Sequence, residues 1–128
     1  ADNSMVFVTN AGQALELAAD NTANFAADVV AYASSDPILK ENKELINNPL
    51  DKISKIGGYS FDWKKSAKEY GEHLKGHDYG IMADEIEALF PELVNTRSNG
   101  IRAVKYDKLV PLLIEGIKEL KQQLDTIK

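Results

Sequence analysis

Ser35 and Lys40 lie five residues apart in the stretch AYASSDPILKEN, residues 31–42. A serine hydroxyl is a poor nucleophile until a base removes its proton, and a lysine can be that base only as the neutral amine. Lysine ordinarily titrates near 10.4, so it must be desolvated or set beside other cations before it is usefully neutral at pH 7. Such a pair would act only once burial, and therefore folding, had prepared it. On spacing alone the pair carries almost no signal, because many soluble proteins hold such a serine and lysine on their surface. The other reactive residue types are less suggestive. His73 and His77 stand at i, i+4 in EHLKGHD, the spacing of two metal ligands on one helix face. Gly76 weakens a helix there, no third strong ligand is near, and a solvated loop with two surface histidines is the better reading; no metal site is expected. Gly57-Gly58 and the scattered acids make neither a phosphate loop nor a dinucleotide fingerprint. Neither histidine sits in a hydrolase-type context, and no cofactor is implied. The absence of cysteine excludes disulfides and thiolate chemistry.

The elements around the pair change character at that point. Residues 1–35 hold four acids (Asp2, Glu16, Asp20, Asp28), ten alanines and no Lys or Arg, whereas residues 36–128 hold all 15 basic residues against the remaining 16 acids. A boundary is therefore expected inside the stretch, dividing the chain into 1–35 and 36–128. The 128 residues suffice for one compact domain and an appendage. With 44% hydrophobic and 27% charged residues the chain fits a soluble globular protein. A net charge of −5 gives no electrostatic reason to expect nucleic acid as a partner. No apolar run approaches the ~18 residues of a membrane span, and no signal peptide is visible.

The first part reads as short strands: MVFV (5–8) and ALEL (14–17) around the turn residues Asn10 and Gly12, then an alternating run NFAADVVAYAS (24–34) after a turn at 19–22. Three short, Ala-rich strands bury too little apolar surface to offset their ordering entropy, so they should be stable only against sister chains or a longer domain. The second part reads as a small α+β domain. Asn48-Pro49 open a short helix with Leu50, Ile53 and Ile56, stopped by Gly57-Gly58; YSFDW (59–63) is a strand; residues 64–78 are a loop with at most a helical turn. GIMADEIEALFPELV carries Met82, Ile86, Leu89 and Phe90 on a helical stripe ending at Pro91, and SNG (98–100) turns into the strand IRAV. The last helix, with Asp107 as its expected N-cap, spaces Val110, Leu113, Ile117, Leu120, Leu124 and Ile127 at intervals of 3, 4, 3, 4 and 3. That is a heptad seam of about two and a half repeats, consistent with a short coiled coil or with an ordinary amphipathic helix.

The order of these blocks resembles the C-terminal intramolecular chaperone domain of phage tailspikes, endosialidases, tail fibres and neck appendages, a family of self-cleaving Ser–Lys peptidases. The family's opening motif (Ser-Asp, two variable positions, Leu-Lys and, two on, Asn) is similar to Ser35-Asp36-Pro37-Ile38-Leu39-Lys40-Glu41-Asn42. FDW (61–63), the GIMADEIEALFPELV segment and VKYDKLVPLLIEGIKELK follow in the family's order. The resemblance implies Ser35 as nucleophile, in preference to Ser34, Lys40 as base and Ser35–Asp36 as the bond cut. Residues 1–35 would then be the end of a trimeric β-structured stalk, and residues 36–128 the chaperone domain. The resemblance further implies an intertwined homotrimer with a helical coiled-coil core, whose partners are its own copies and the upstream β-stalk of the same chain. Ile38 stands where the family usually has arginine, Asp84 where it usually has an amide, and Pro37 stiffens the backbone after the scissile bond. Pro37 and Ile38 bear on the rate of cutting more than on the fold.

The function so implied is a self-releasing folding module. Intertwined β-fibres assemble through non-local pairing, and a one-residue slip turns every side chain over. A C-terminal domain that trimerises first holds three stalk ends in register, and its removal leaves the fibre kinetically hard to unfold. Such a module would act in the host cytoplasm during phage assembly. The upstream product would go to the virion tail or neck, and the module would be absent from the mature virion. The rival of another class is a non-enzymatic trimerisation or attachment tip that stays on the fibre. Strands, boundary and heptads are expected of both; only cleavage separates them.

Overall fold

The computed structural model of the chain describes residues 3–25, 33–70 and 74–127. The chain forms two compact units, residues 1–42 and 43–128.

The first unit is built on an antiparallel meander of β1 (Met5–Thr9), β2 (Gly12–Leu17) and β3 (Ala23–Phe25). Phe7 pairs with Leu15 across the first two strands and Leu15 with Phe25 across the second two, with an irregularity between Phe7 and Val8. Gly12 turns the first corner at φ +119°, a conformation open to glycine and strained for other residues. At the second corner Asn21 is left-handed (φ 69°) and the Asp20 carboxylate accepts from the Thr22 N–H at 3.1 Å, as Asn and Asp commonly do in turns. Met5, Val6, Phe7 and Val8 are all exposed. A strand open along its whole length builds no core for its own sheet. The strands expected at 5–8 and 14–17 are present. Of the alternating run 24–34, Asn24 and Phe25 lie in the sheet; residues 26–32 lie outside the described residues, and residues 33–36 are not strand.

The second unit is a small α+β domain ending in a long helix. It comprises α1 (Pro49–Ile53), β4 (Tyr59–Asp62), β5 (His77–Gly80), α2 (Ala83–Leu89), β6 (Val94–Thr96), β7 (Arg102–Val104) and α3 (Val110–Thr126). β4–β5 and β6–β7 are separate antiparallel hairpins. The core centres on Ile86 of α2 (0% exposed) and Leu112 of α3 (2%). α1 packs on α3 at Gly116, where an added Cβ would collide with the Ile53 Cδ1. This close approach explains a glycine inside a helix, where it ordinarily costs about 1 kcal/mol against alanine. Two glutamates tie the elements together. Glu119 of α3 accepts the Leu50 N–H of α1 at 3.0 Å, and Glu85 of α2 accepts the Gly57 N–H at 2.8 Å and the Tyr59 hydroxyl at 2.7 Å.

Several local expectations are corrected. α1 ends at Ile53, before the glycines, because the chain tightens there: the Lys55 and Ile56 N–H groups bond three residues back, to Lys52 and Ile53. The expected loop 64–78 contains a 3-10 turn (Lys65–Glu69) and delivers β5, whose His77 pairs with Asp62 and whose Tyr79 pairs with Ser60. Main-chain pairing to YSFD makes a strand of a segment whose side chains read as polar loop. Beyond Phe90 a short 3-10 turn leads into β6, which supplies the partner of the expected strand at IRAV. Asp107 is not an N-cap. It lies inside a 3-10 turn (Tyr106–Leu109) that runs directly into α3, whose first turn accommodates Pro111.

α3 has two distinct apolar faces. Leu112 and Gly116 are buried toward the unit, with Leu109, Glu115 and Glu119 partly covered beside them. Val110, Leu113, Ile117, Leu120, Leu124 and Ile127, the residues of the heptad seam, are between 48% and 79% exposed. The unit folds around the first face and leaves the second bare.

Candidate active site

The Ser35–Lys40 site is built by one turn of backbone. Asp36 has extended dihedrals (φ −64°, ψ 131°) and caps a 3-10 turn over Pro37–Leu39, its Oδ1 accepting the Ile38 N–H at 3.0 Å. The Leu39 N–H donates to the Asp36 carbonyl and the Lys40 N–H to the Pro37 carbonyl, each at 3.0 Å. Pro37 occupies the first turn, where its missing N–H has no helical partner to lose and its fixed φ is already suitable. The residue that reads as a stiffener after the scissile bond thus stiffens the chain in the shape the turn requires. Folding back over this turn, Lys40 Nζ reaches Ser35 Oγ at 2.7 Å.

The two residues selected from the sequence are therefore in direct contact, with Asp36 of the expected scissile bond between them in the chain. With the lysine charged, its ammonium donates to the hydroxyl oxygen. The catalytic direction is the reverse, Ser35 O–H to a neutral amine, and the same separation serves both. Ser35 and Lys40 are exposed in the single chain, and the neighbouring Ile38 and Leu39 are 85% and 72% exposed. The pair is thus open to solvent in the single chain.

Of the two histidines at i, i+4, only His77 lies among the described residues. His73 lies outside them, and His77 sits on β5 rather than in a loop, its Nδ1 2.8 Å from Asp62 Oδ1 across the hairpin. No group of three or more potential metal ligands occurs among the described residues. The second unit carries a groove of about 860 Å³ lined by Phe61, Trp63, Tyr70, Met82, Arg97 and Tyr106, among others. Two of the polar groups around it are engaged internally: the Trp63 indole donates to Asp78 at 3.0 Å and Arg102 pairs with Glu87 at 3.0 Å. Sequence reading misses this aromatic wall because its members come from segments far apart in the chain.

A peptidase family model described as "Chaperone of endosialidase" matches residues 35–95, beginning at the serine of the contact. The chain is 33% identical over 105 residues to the long tail fiber protein Gp37 of Salmonella phage S16, covering 74% of this chain and 14% of that protein. It is 31% identical over 102 residues to the long tail fiber protein Gp37 of Escherichia phage AR1, covering 78% of this chain and 9% of that one. The chain thus spans a small fraction of the length of these relatives. No helix among the described residues is long and apolar enough to cross a membrane. The motif, the element order and these matches agree in supporting a chaperone domain of the phage tail-fibre type, with residues 35–95 matching the endosialidase-chaperone family.

Proposed function

We propose that the chain is an intramolecular chaperone of a phage tail fibre that trimerises through the α3 seam, holds the β-structured segment before it in register, and then releases itself by cutting Ser35–Asp36. The observation that carries the reading is the 2.7 Å contact of Lys40 Nζ with Ser35 Oγ at the first residue of the family match. The bare seam of α3 supports the assembly step: six aliphatic residues at heptad spacing, each about half exposed or more, are what sister helices would cover. The partners are then two further copies and the upstream stalk, the place of action is the host cytoplasm during assembly, and the boundary between products falls at residues 35 and 36.

Assembly is also the switch. Covering Ile38, Leu39 and the dyad removes water from Lys40, and desolvation favours the neutral amine. The neutral amine takes the Ser35 hydroxyl proton. Ser35 Oγ cannot reach its own carbonyl without closing a four-membered ring, so the oxygen that adds to that carbon comes from the Ser35 of a neighbouring copy or from a water activated by the pair. Attack on the Ser34 carbonyl through a five-membered ring is the competing route and cuts one bond earlier. In the Ser35–Asp36 cut the C–N bond breaks and the Asp36 nitrogen takes the proton held by Lys40. Net addition of one water then leaves a carboxylate on Ser35 and an amine on Asp36.

Intact mass at neutral pH tests the reading. The unaltered chain should yield residues 1–35 and a 93-residue product beginning at Asp36 (128 − 35 = 93). Ser35→Ala and Lys40→Ala should each leave an uncut trimer. Acid hydrolysis of Asp36–Pro37 gives instead a product beginning at Pro37 and survives Ser35→Ala. An unaltered trimer that stays whole favours the second reading, a permanent attachment tip.

A further inference from the structure

We infer that Asp36 is a positioning residue for the cut: its carboxylate, by capping the turn, sets the distance between base and nucleophile. This rests on the Ser–Lys reading and deepens it. Between Ser35 and Lys40 the path is only Asp36-Pro37-Ile38-Leu39. Within it, one side-chain bond, from the Ile38 N–H to Asp36 Oδ1 at 3.0 Å, closes the first corner. Two main-chain bonds, Leu39 to Asp36 and Lys40 to Pro37, close the rest. Among the described hydrogen bonds only the Lys40–Ser35 contact itself adds to these, and Ile38, Leu39 and Lys40 are all exposed. A three-residue 3-10 turn has little cooperativity of its own, so its population is set largely by its cap. Losing the cap lets Pro37–Leu39 unwind, and an extended path of this length carries Lys40 well beyond hydrogen-bond reach of Ser35.

The carboxylate also sits on the residue whose nitrogen is the leaving group. The cap therefore orients the departing amine together with the base that must protonate it. Asp36 touches the turn rather than the reacting carbonyl, which is why its role is one of positioning. An acceptor is what the position needs, and a charge is not: Asn and Ser cap as well as Asp, and Ala does not.

The test compares cleavage of trimers carrying Asp36→Ala, Asp36→Asn and Asp36→Ser. Asp36→Ala should slow the cut about fivefold to tenfold, in line with the loss of an N-cap, while Asn and Ser recover most of the rate. A role confined to trimer stability would show as lost trimer in Asp36→Ala, so oligomeric state is read in parallel by light scattering. Amide hydrogen exchange on chains that also carry Ser35→Ala reads the turn without chemistry. Exchange at Leu39 and Lys40 should quicken in Asp36→Ala and stay slow in Asp36→Asn. Full cleavage rate in Asp36→Ala, or unchanged exchange at those two amides, overturns the positioning role while leaving the dyad intact. Cutting that persists in Ser35→Ala overturns the dyad reading instead, and the exchange measurement still decides whether Asp36 holds the turn.

Discussion

Asp78, on the strand that the sequence presents as loop, is the residue whose ionisation is most clearly tied to the fold. The Tyr79 N–H at 2.8 Å and the Trp63 indole at 3.0 Å both donate to its carboxylate and hold its pKa below the ordinary 3.8. A depressed folded pKa contributes stability that is fully present above the unfolded value and is lost as pH falls through the folded one. Thermal unfolding followed from pH 6 to about pH 2 should therefore show the unaltered chain more stable than Asp78→Asn at pH 6, with the gap closing below about pH 4. A constant gap would mean that Asp78 contributes through shape alone. Residue chemistry of this kind is only partly legible in the sequence. Ser35 and Lys40 can be picked out because a family motif frames them. The Asp36 cap cannot, because Pro37 reads as an obstacle until its place in the turn is seen. Glu85 and Glu119 read as surface acids, since their backbone partners, Gly57 and Leu50, lie 28 and 69 residues away.

At the scale of elements, α3 divides its apolar residues between two tasks. Truncating the core that the inner face joins should destabilise the unit: Ile86→Ala in α2 or Leu112→Ala in α3 should each cost about 2–5 kcal/mol in urea denaturation at fixed protein concentration. Charging the outer set should spare it. Ile117 is 68% and Leu120 48% exposed in the single chain, so the paired change Ile117→Asp and Leu120→Asp should leave far-UV circular dichroism intact. The heptad seam is visible in the sequence because its period is local and unbroken. The inner face is not, because Leu112 and Gly116 make a short stripe whose meaning depends on α1, far earlier in the chain. β5 escapes sequence reading for a related reason: HDYG has no apolar alternation, and it becomes a strand only by pairing with YSFD.

For the whole molecule, light scattering of the uncut Ser35→Ala chain should report a particle near three times 14.1 kDa, and the seam pair of aspartates should reduce it to a monomer, since a buried unpaired carboxylate costs several kcal/mol. The monomeric seam variant with Ser35 and Lys40 untouched should also fail to cut, if covering by sister chains is what dries the lysine. Efficient cutting by that monomer would separate catalysis from assembly. The 2.7 Å contact between Lys40 and Ser35 has a further consequence, which belongs to genetics. Ser35 and the Lys40 that touches it reside on one polypeptide, so in the proposed cut each chain supplies its own base. Two defective alleles, Ser35→Ala and Lys40→Ala, expressed together should therefore fail to complement: every mixed trimer contains serines and lysines, yet no chain in it holds the pair. Restored cutting in such a cross would mean that the working base is borrowed from another subunit.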